Sequence, residues 1–343
     1  MEIIKGTVLL LFVLSLFSLF SYKAPKGMKA MGALASAAVA SFLVEAFQKY
    51  VGGDLINISF LGEVGDAAGS MGGVAAAALV ALAMGVSPVY ALMLGVSCAG
   101  LGLLPGFIAG YLVSFIVKKM EEKIPAGFDL IVIIIVATPL VRIAAVLVDP
   151  LVDATLLNIG GIITETANAS PIVMGIILGG VITTVATAPL SSMALTAMLG
   201  LTGLPMAIGA LAVFGSSFMN FVFFHRMKFG DIRTTISVAV EPLTQADIIS
   251  ANPIPVYVTN FIGGAAAGVI IAMAGLINNA PGTATPIAGL AVMYGFNDPM
   301  KVTVIALLCA TVGALSGLLG SVIFKNFKIR KVDQLKQMDG EVA

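Results

Sequence analysis

The long uncharged runs constrain this chain most. LIVIIIVATPLVRIAAVLV (Leu130–Val148) carries one charged residue, Arg142, and Val302–Phe324 carries none. An α-helix rises ~1.5 Å per residue and the hydrocarbon core of a bilayer is ~30 Å thick, so about 20 apolar residues make one crossing. Ten candidate spans follow: Gly6–Tyr22, Met28–Phe47, Gly72–Met84, Pro88–Val117, Leu130–Val148, Pro171–Ala188, Met193–Ala210, Ala212–Phe224, Pro253–Ile277 and Val302–Phe324. Charged residues make up 10% of the chain, against roughly 25% in a soluble domain. That is too few to cover a surface facing water, so the fold class is an all-α polytopic membrane protein.

The same scarcity excludes much chemistry. Formal net charge is zero, which gives nucleic acid no electrostatic footing. There is one histidine, His225, and the two cysteines, Cys98 and Cys309, sit in apolar runs. No metal-ligand spacing appears, and nucleophile–histidine catalysis has little raw material. No metal, cofactor or catalytic group is assigned. The N-terminus, MEIIKGTVLLLFVLSLFSLFSYKAPKG, lacks a small-x-small cleavage site and reads as a retained first membrane helix. Basic stretches at Lys118–Lys123 and Lys325–Lys331 place those segments on the cytoplasmic side by the positive-inside rule; the Lys23–Lys29 loop is also basic.

Two segments fit neither a span nor an ordinary loop: residues 231–252 and Asn278–Asp298 (NNAPGTATPIAGLAVMYGFND). Both are too broken to cross as helices and too apolar for long solvated loops. Irregular backbone survives at membrane depth only where protein or a polar cavity satisfies it, so re-entrant hairpins are expected. The first hairpin holds Glu241, Thr244, Gln245, Asp247 and Asn252, with Pro242 inside it and Pro253 and Pro255 just after it. A carboxylate in a membrane is costly and normally faces a cavity, and its two oxygens can orient two hydroxyl donors. Pro242, directly after Glu241, stops a helix there. The neighbouring amides and hydroxyl either contact a polyhydroxylated ligand or cap the hairpin's own broken helices. Glu165 and Asn168 form a second candidate group. Thr187 and Ser191 belong to a Ser/Thr stripe that either lines a path or bonds back to its own helix. Arg142 pairs or snorkels to the interface, and GGAAAG at Gly263–Gly268 reads as helix packing.

Three stretches carry a family resemblance: LPGFIAGYLVSFIVKKMEEKIPAGFD (Leu104–Asp129), SPIVMGIILGGVITTVATAPLSSMAL (Ser170–Leu195) and VEPLTQADIISANPIPVYVTNFIGGAAAG (Val240–Gly268). The chain resembles the EIIC membrane subunits of the bacterial sugar phosphotransferase system, in a divergent branch that includes perfringolysin O regulator-like membrane proteins. The resemblance implies about ten transmembrane segments with two re-entrant hairpins, in the bacterial plasma membrane. It implies a homodimer formed through an N-terminal part, residues 1–128. A transport domain follows at 129–324, with hairpins near 231–252 and 278–298, and then a basic cytoplasmic tail at 325–343. By position, Glu241-Pro242 falls on the family's sugar-holding glutamate. Some members place His-Gly-Gly after a proline in the second hairpin; here Pro281 is followed by Gly282-Thr283-Ala284-Thr285. Thr283 and Thr285 are the candidates in that hairpin.

The expected function, as the resemblance implies, is a subunit that binds a carbohydrate or similar polar solute between the hairpins and moves it by elevator-type alternating access, a rigid-body shift of the transport domain. Any phosphorylation would draw on separate phosphodonor subunits. The alternatives are a membrane-embedded solute sensor that signals through its basic face, and a non-phosphorylating carrier.

Overall fold

The computed structural model of the protein describes residues 2–125, 127–188 and 192–331. Among these, secondary structure is helical, with one isolated extended bridge between Gly203 and Asn278. The helices are α1 (Glu2–Lys23), α2 (Gly27–Leu55), α3 (Ser59–Gly69), α4 (Gly72–Met84), α5 (Pro88–Ser97), α6 (Leu103–Lys123) and α7 (Phe128–Ala169). They continue with α8 (Pro171–Thr187), α9 (Ser192–Met198), α10 (Gly203–Met227), α11 (Ile232–Val240) and α12 (Ala246–Ala251). The last are α13 (Pro253–Ala274), α14 (Pro286–Met293) and α15 (Pro299–Ile323). Six of these are long and apolar enough to cross a membrane, and α3 with α4, bent by 53° at their junction, makes a seventh candidate.

Two helices run well past their expected spans, α2 to Leu55 and α7 to Ala169, and the chain is divided differently in two further places. Met193–Ala210 and Ala212–Phe224 are not two crossings. The chain breaks earlier, at Leu199–Thr202, where Gly200 and Gly203 take φ of 56° and 65°, conformations that favour glycine. With Pro205 tolerated in the first turn, α10 then runs unbroken to Met227. Pro88–Val117 splits into α5 and α6 around Gly100, at φ 76°. Arg142 explains how that break is held: its guanidinium donates to the carbonyls of Ala99 (2.6 Å) and Ser97 (3.4 Å), capping the end of α5 as a cation should.

The chain forms two compact units. One comprises Leu9–Ile162 with Ala197–Gly200; the other comprises Ile163–Thr196 and Leu201 onward, with Met1–Val8. The division between the two units falls inside α7. In the first unit, a core of Ala77, Ala81, Leu94, Val113, Val117, Ile133, Val141 and their neighbours joins α4, α5, α6 and α7.

The second unit is built on α8, α10, α13 and α15. α8 and α13 meet backbone to backbone: a methyl group on Gly175 would lie 2.6 Å from the carbonyl oxygen of Gly268. Small residues permit this approach, and in lipid it supplies the van der Waals contact that holds helices together. The Gly263–Gly268 tract therefore serves packing, as its sequence suggested. Across the same helices runs a buried polar link. Asn260 Nδ2 on α13 donates to Asn220 Oδ1 on α10 (2.8 Å), and Thr183 Oγ1 on α8 donates to the Asn260 carbonyl (2.8 Å).

Candidate functional site

Both irregular stretches belong to the second unit. α11 begins at Asp231, whose carboxylate accepts from the Thr234 N–H (2.8 Å) and hydroxyl (2.9 Å), an N-cap of ordinary type. It ends at Val240 because Pro242 disfavours helical backbone at the residue before it. Glu241 accordingly sits extended, at φ −148° and ψ 100°. A single turn, Pro242–Gln245, follows. Both the N–H (3.0 Å) and the hydroxyl (2.8 Å) of Thr244 donate to the Glu241 carbonyl.

The second stretch, between α13 and α15, is non-helical from Leu276 to Thr285. Asparagines satisfy much of its backbone. Asn278 Oδ1 accepts from the Ala280 N–H (2.9 Å), and its Nδ2 donates to Thr283 Oγ1 (2.9 Å). Asn297 reads both backbone groups of Ile277, donating to the carbonyl (2.7 Å) and accepting from the N–H (2.9 Å). The Ser192 hydroxyl donates to the Ala284 carbonyl (2.6 Å). This is the satisfaction that irregular chain at membrane depth requires.

The two stretches meet. Glu241 and Pro242, from the turn after α11, share a cavity with Ala284, Thr285 and Pro286 at the start of α14. Ser192 and Met193 at the start of α9, Ala186 near the end of α8 and Val213 of α10 complete the wall. Thr285, extended at φ −141°, is the N-cap of α14, and Pro286 opens its first turn. A half-buried carboxylate and the electropositive end of a short helix thus line the same space. The cavity measures about 10 Å³, room for one water molecule and far below the ~300 Å³ of a small-molecule site.

The other expected residues fall elsewhere. Thr244 and Gln245 lie on the turn beside the cavity, Thr244 exposed and Gln245 half-exposed. Thr283 is fully buried in the Asn278 network. Thr187 is buried and donates to the Thr184 carbonyl (2.8 Å), the back-bonding that a helical threonine permits. Glu165 and Asn168 are exposed on α7. Asn252, 2% exposed, spends its amide on main chain: Nδ2 donates to the carbonyls of Ile248 and Arg330 (2.8 Å each), and Oδ1 accepts from the Arg330 N–H (2.7 Å). Ser191 and the side chain of Asp247 lie outside the described residues. The residues missed by sequence reading are Ala186, Met193, Val213, Ala284 and Pro286 in the wall, and Asn278 and Asn297 behind it. The apolar ones carry no signal in a chain this greasy. The asparagines carried one, as amides in an apolar segment.

These elements define a class: a helical, multi-pass membrane protein in which two irregular stretches meet around a small cavity with Glu241 in its lining. The chain belongs to the phosphotransferase system EIIC family, whose model, described as "Phosphotransferase system, EIIC", matches residues 28–337. It is therefore a membrane transporter subunit of that system, in the bacterial plasma membrane. A comparison with curated proteins finds no match.

Proposed function

We propose that this subunit binds a carbohydrate or similar polyhydroxylated solute at the Glu241–Thr285 cavity and carries it across the membrane by alternating access. The observation that carries this reading is the convergence of two chain breaks, distant in sequence, on one space containing a membrane carboxylate. A carboxylate there orients sugar hydroxyls through two acceptor oxygens, and the N-terminal N–H groups of α14 supply donors. The space admits one water, so solute entry requires the Glu241–Pro242 wall to part from the Ala284–Pro286 wall. Such motion is the core of alternating access. A phosphodonor, if used, is a separate subunit that transfers its phosphoryl group to a solute hydroxyl held at this same site.

The test is uptake into proteoliposomes of a panel of radiolabelled hexoses, hexitols and disaccharides, with and without phosphorylated donor proteins. Saturable uptake that Glu241→Gln lowers at least tenfold supports the reading. Solute binding without any uptake makes the chain a sensor. Uptake indifferent to the donor makes it a non-phosphorylating carrier. Binding and uptake that survive Glu241→Gln unchanged overturn the site.

A further inference from the structure

We propose that the crevice between α1 and α6 holds one anionic glycerophospholipid, headgroup at the lysines and acyl chain along the helices. The C-terminal end of α1 packs on α6. The Phe20 ring packs on Phe107 (5.7 Å between centroids) and Tyr111 (5.1 Å), and further along both helices the Tyr111 hydroxyl donates to the Pro25 carbonyl (2.8 Å). Two cavities lie along α6, one on either side of the Tyr111 contact.

The outer cavity, about 230 Å³, is lined by Lys26, Lys118 and Lys119 with Pro25, Met84 and Phe115. It lies where both helices end in basic residues after apolar runs, the level of the lipid headgroups. Its turn is pre-formed: Lys26 stands at φ 54°, and its ammonium donates to the carbonyl of Met84 at the end of α4 (2.6 Å). An ammonium carries three donors, so this bond leaves Lys26 capacity for an anion. Lys118 lies 3.9 Å from a Glu121 oxygen, too far for a hydrogen bond. The other Glu121 oxygen accepts from the Ser87 N–H (2.9 Å). Lys23 and Lys29 stand exposed nearby in sequence and add to the positive field.

The inner cavity, about 360 Å³, is almost wholly apolar, with Phe12, Leu16 and Phe17 of α1, Leu104 and Ile108 of α6 and Leu156 of α7 in its walls. Phe12 and Leu16 are about half exposed, so the groove opens sideways. Ten residues of α6 separate Ile108 from Lys118, ~15 Å at 1.5 Å per residue, a distance an acyl chain spans. A soluble anion or an acidic protein would use the lysines but leave this groove unfilled. A phospholipid matches both, as basic pockets at the cytoplasmic ends of membrane helices do generally. The inference does not depend on the solute site.

Native mass spectrometry and thermal unfolding of the full chain in detergent test it, with dioleoyl phosphatidylglycerol, dioleoyl phosphatidylcholine, dihexanoyl phosphatidylglycerol and inorganic phosphate as probes. The long-chain phosphatidylglycerol is expected to be retained and to raise the unfolding midpoint. The choline lipid and inorganic phosphate are expected to do neither, and the short-chain lipid to do so weakly. Each lysine contributes roughly a fivefold preference for the anionic lipid, which the combined Lys26→Gln, Lys118→Gln and Lys119→Gln variant should lose. Equal retention of both long-chain lipids, or a midpoint shift reproduced by inorganic phosphate, overturns the proposal. If the triple variant does not fold, Ile108→Phe, which narrows the groove and keeps the lysines, should lower phosphatidylglycerol retention. Unchanged retention in that variant also overturns the proposal.

Discussion

The two broken segments that meet at the cavity are held in different ways. Residues 276–298 are cross-tied along their length: Asn297 grips Ile277 at one end, Asn278 bonds Ala280 and Thr283 in the middle, and Ser192 holds Ala284. Residues 231–252 are pinned at their two ends, by Asp231 on Thr234 and by Asn252 on Arg330, while the turn between them closes on the carbonyl of Glu241. A buried hydrogen bond whose loss strands its partner is worth more than one on a wet turn. From this contrast we propose that 276–298 is the fixed wall and that the turn at Glu241–Gln245, between the buried Val238 and Ile248, is the wall that yields to solute.

Breaking the fixed wall should have the largest effect. Asn278→Ala removes a donor and an acceptor from a fully buried residue and strands Thr283 and Ala280. The expected cost is about 2–4 kcal/mol, read from thermal or denaturant unfolding. Glu241→Gln should leave the unfolding midpoint in place but weaken solute binding by about 1.5–3 kcal/mol, since a charged acceptor becomes neutral. Equilibrium binding of the solute that wild type transports measures it. Asn252→Ala releases Arg330 and costs ~1–2 kcal/mol. Its signature is faster hydrogen exchange in 232–251 with protection in 276–298 unchanged. Thr244→Ala loses one turn bond and should cost ~0.5–1 kcal/mol. If Thr244→Ala and Asn278→Ala destabilise equally, the contrast between the walls is wrong. Glu165→Gln, on the exposed face of α7, should shift neither stability nor binding by more than ~0.5 kcal/mol.

Part of this was legible in the sequence because polar groups stand out against an apolar chain. The carboxylate of Glu241, the proline after it and the breaks near 240 and 280 all announce themselves that way, and the cavity contains Glu241, Pro242 and Thr285. What polarity does not reveal is the partner. Asn252 read as a candidate solute contact, yet its amide holds the main chain of Arg330, a pairing 78 residues apart that only the fold creates. Thr187 likewise bonds within its own helix. The boundary at α10 was misplaced because hydropathy is nearly flat from 193 to 224. There the break depends on two left-handed glycines rather than on any drop in apolar character. The glycine-mediated contact of α8 and α13 was foreseeable as packing, but not its partner helix.

The central claim, that solute parts the two walls, has a direct measurement. Spin labels at Thr244→Cys and Ile287→Cys would report the separation of the two walls by double electron–electron resonance in proteoliposomes. Both sites are exposed, and the native Cys98 and Cys309 are fully buried and out of reach of the label. Adding the solute that wild type binds should introduce a longer distance that is absent without it. A distance distribution that stays unchanged while solute is bound would contradict the account.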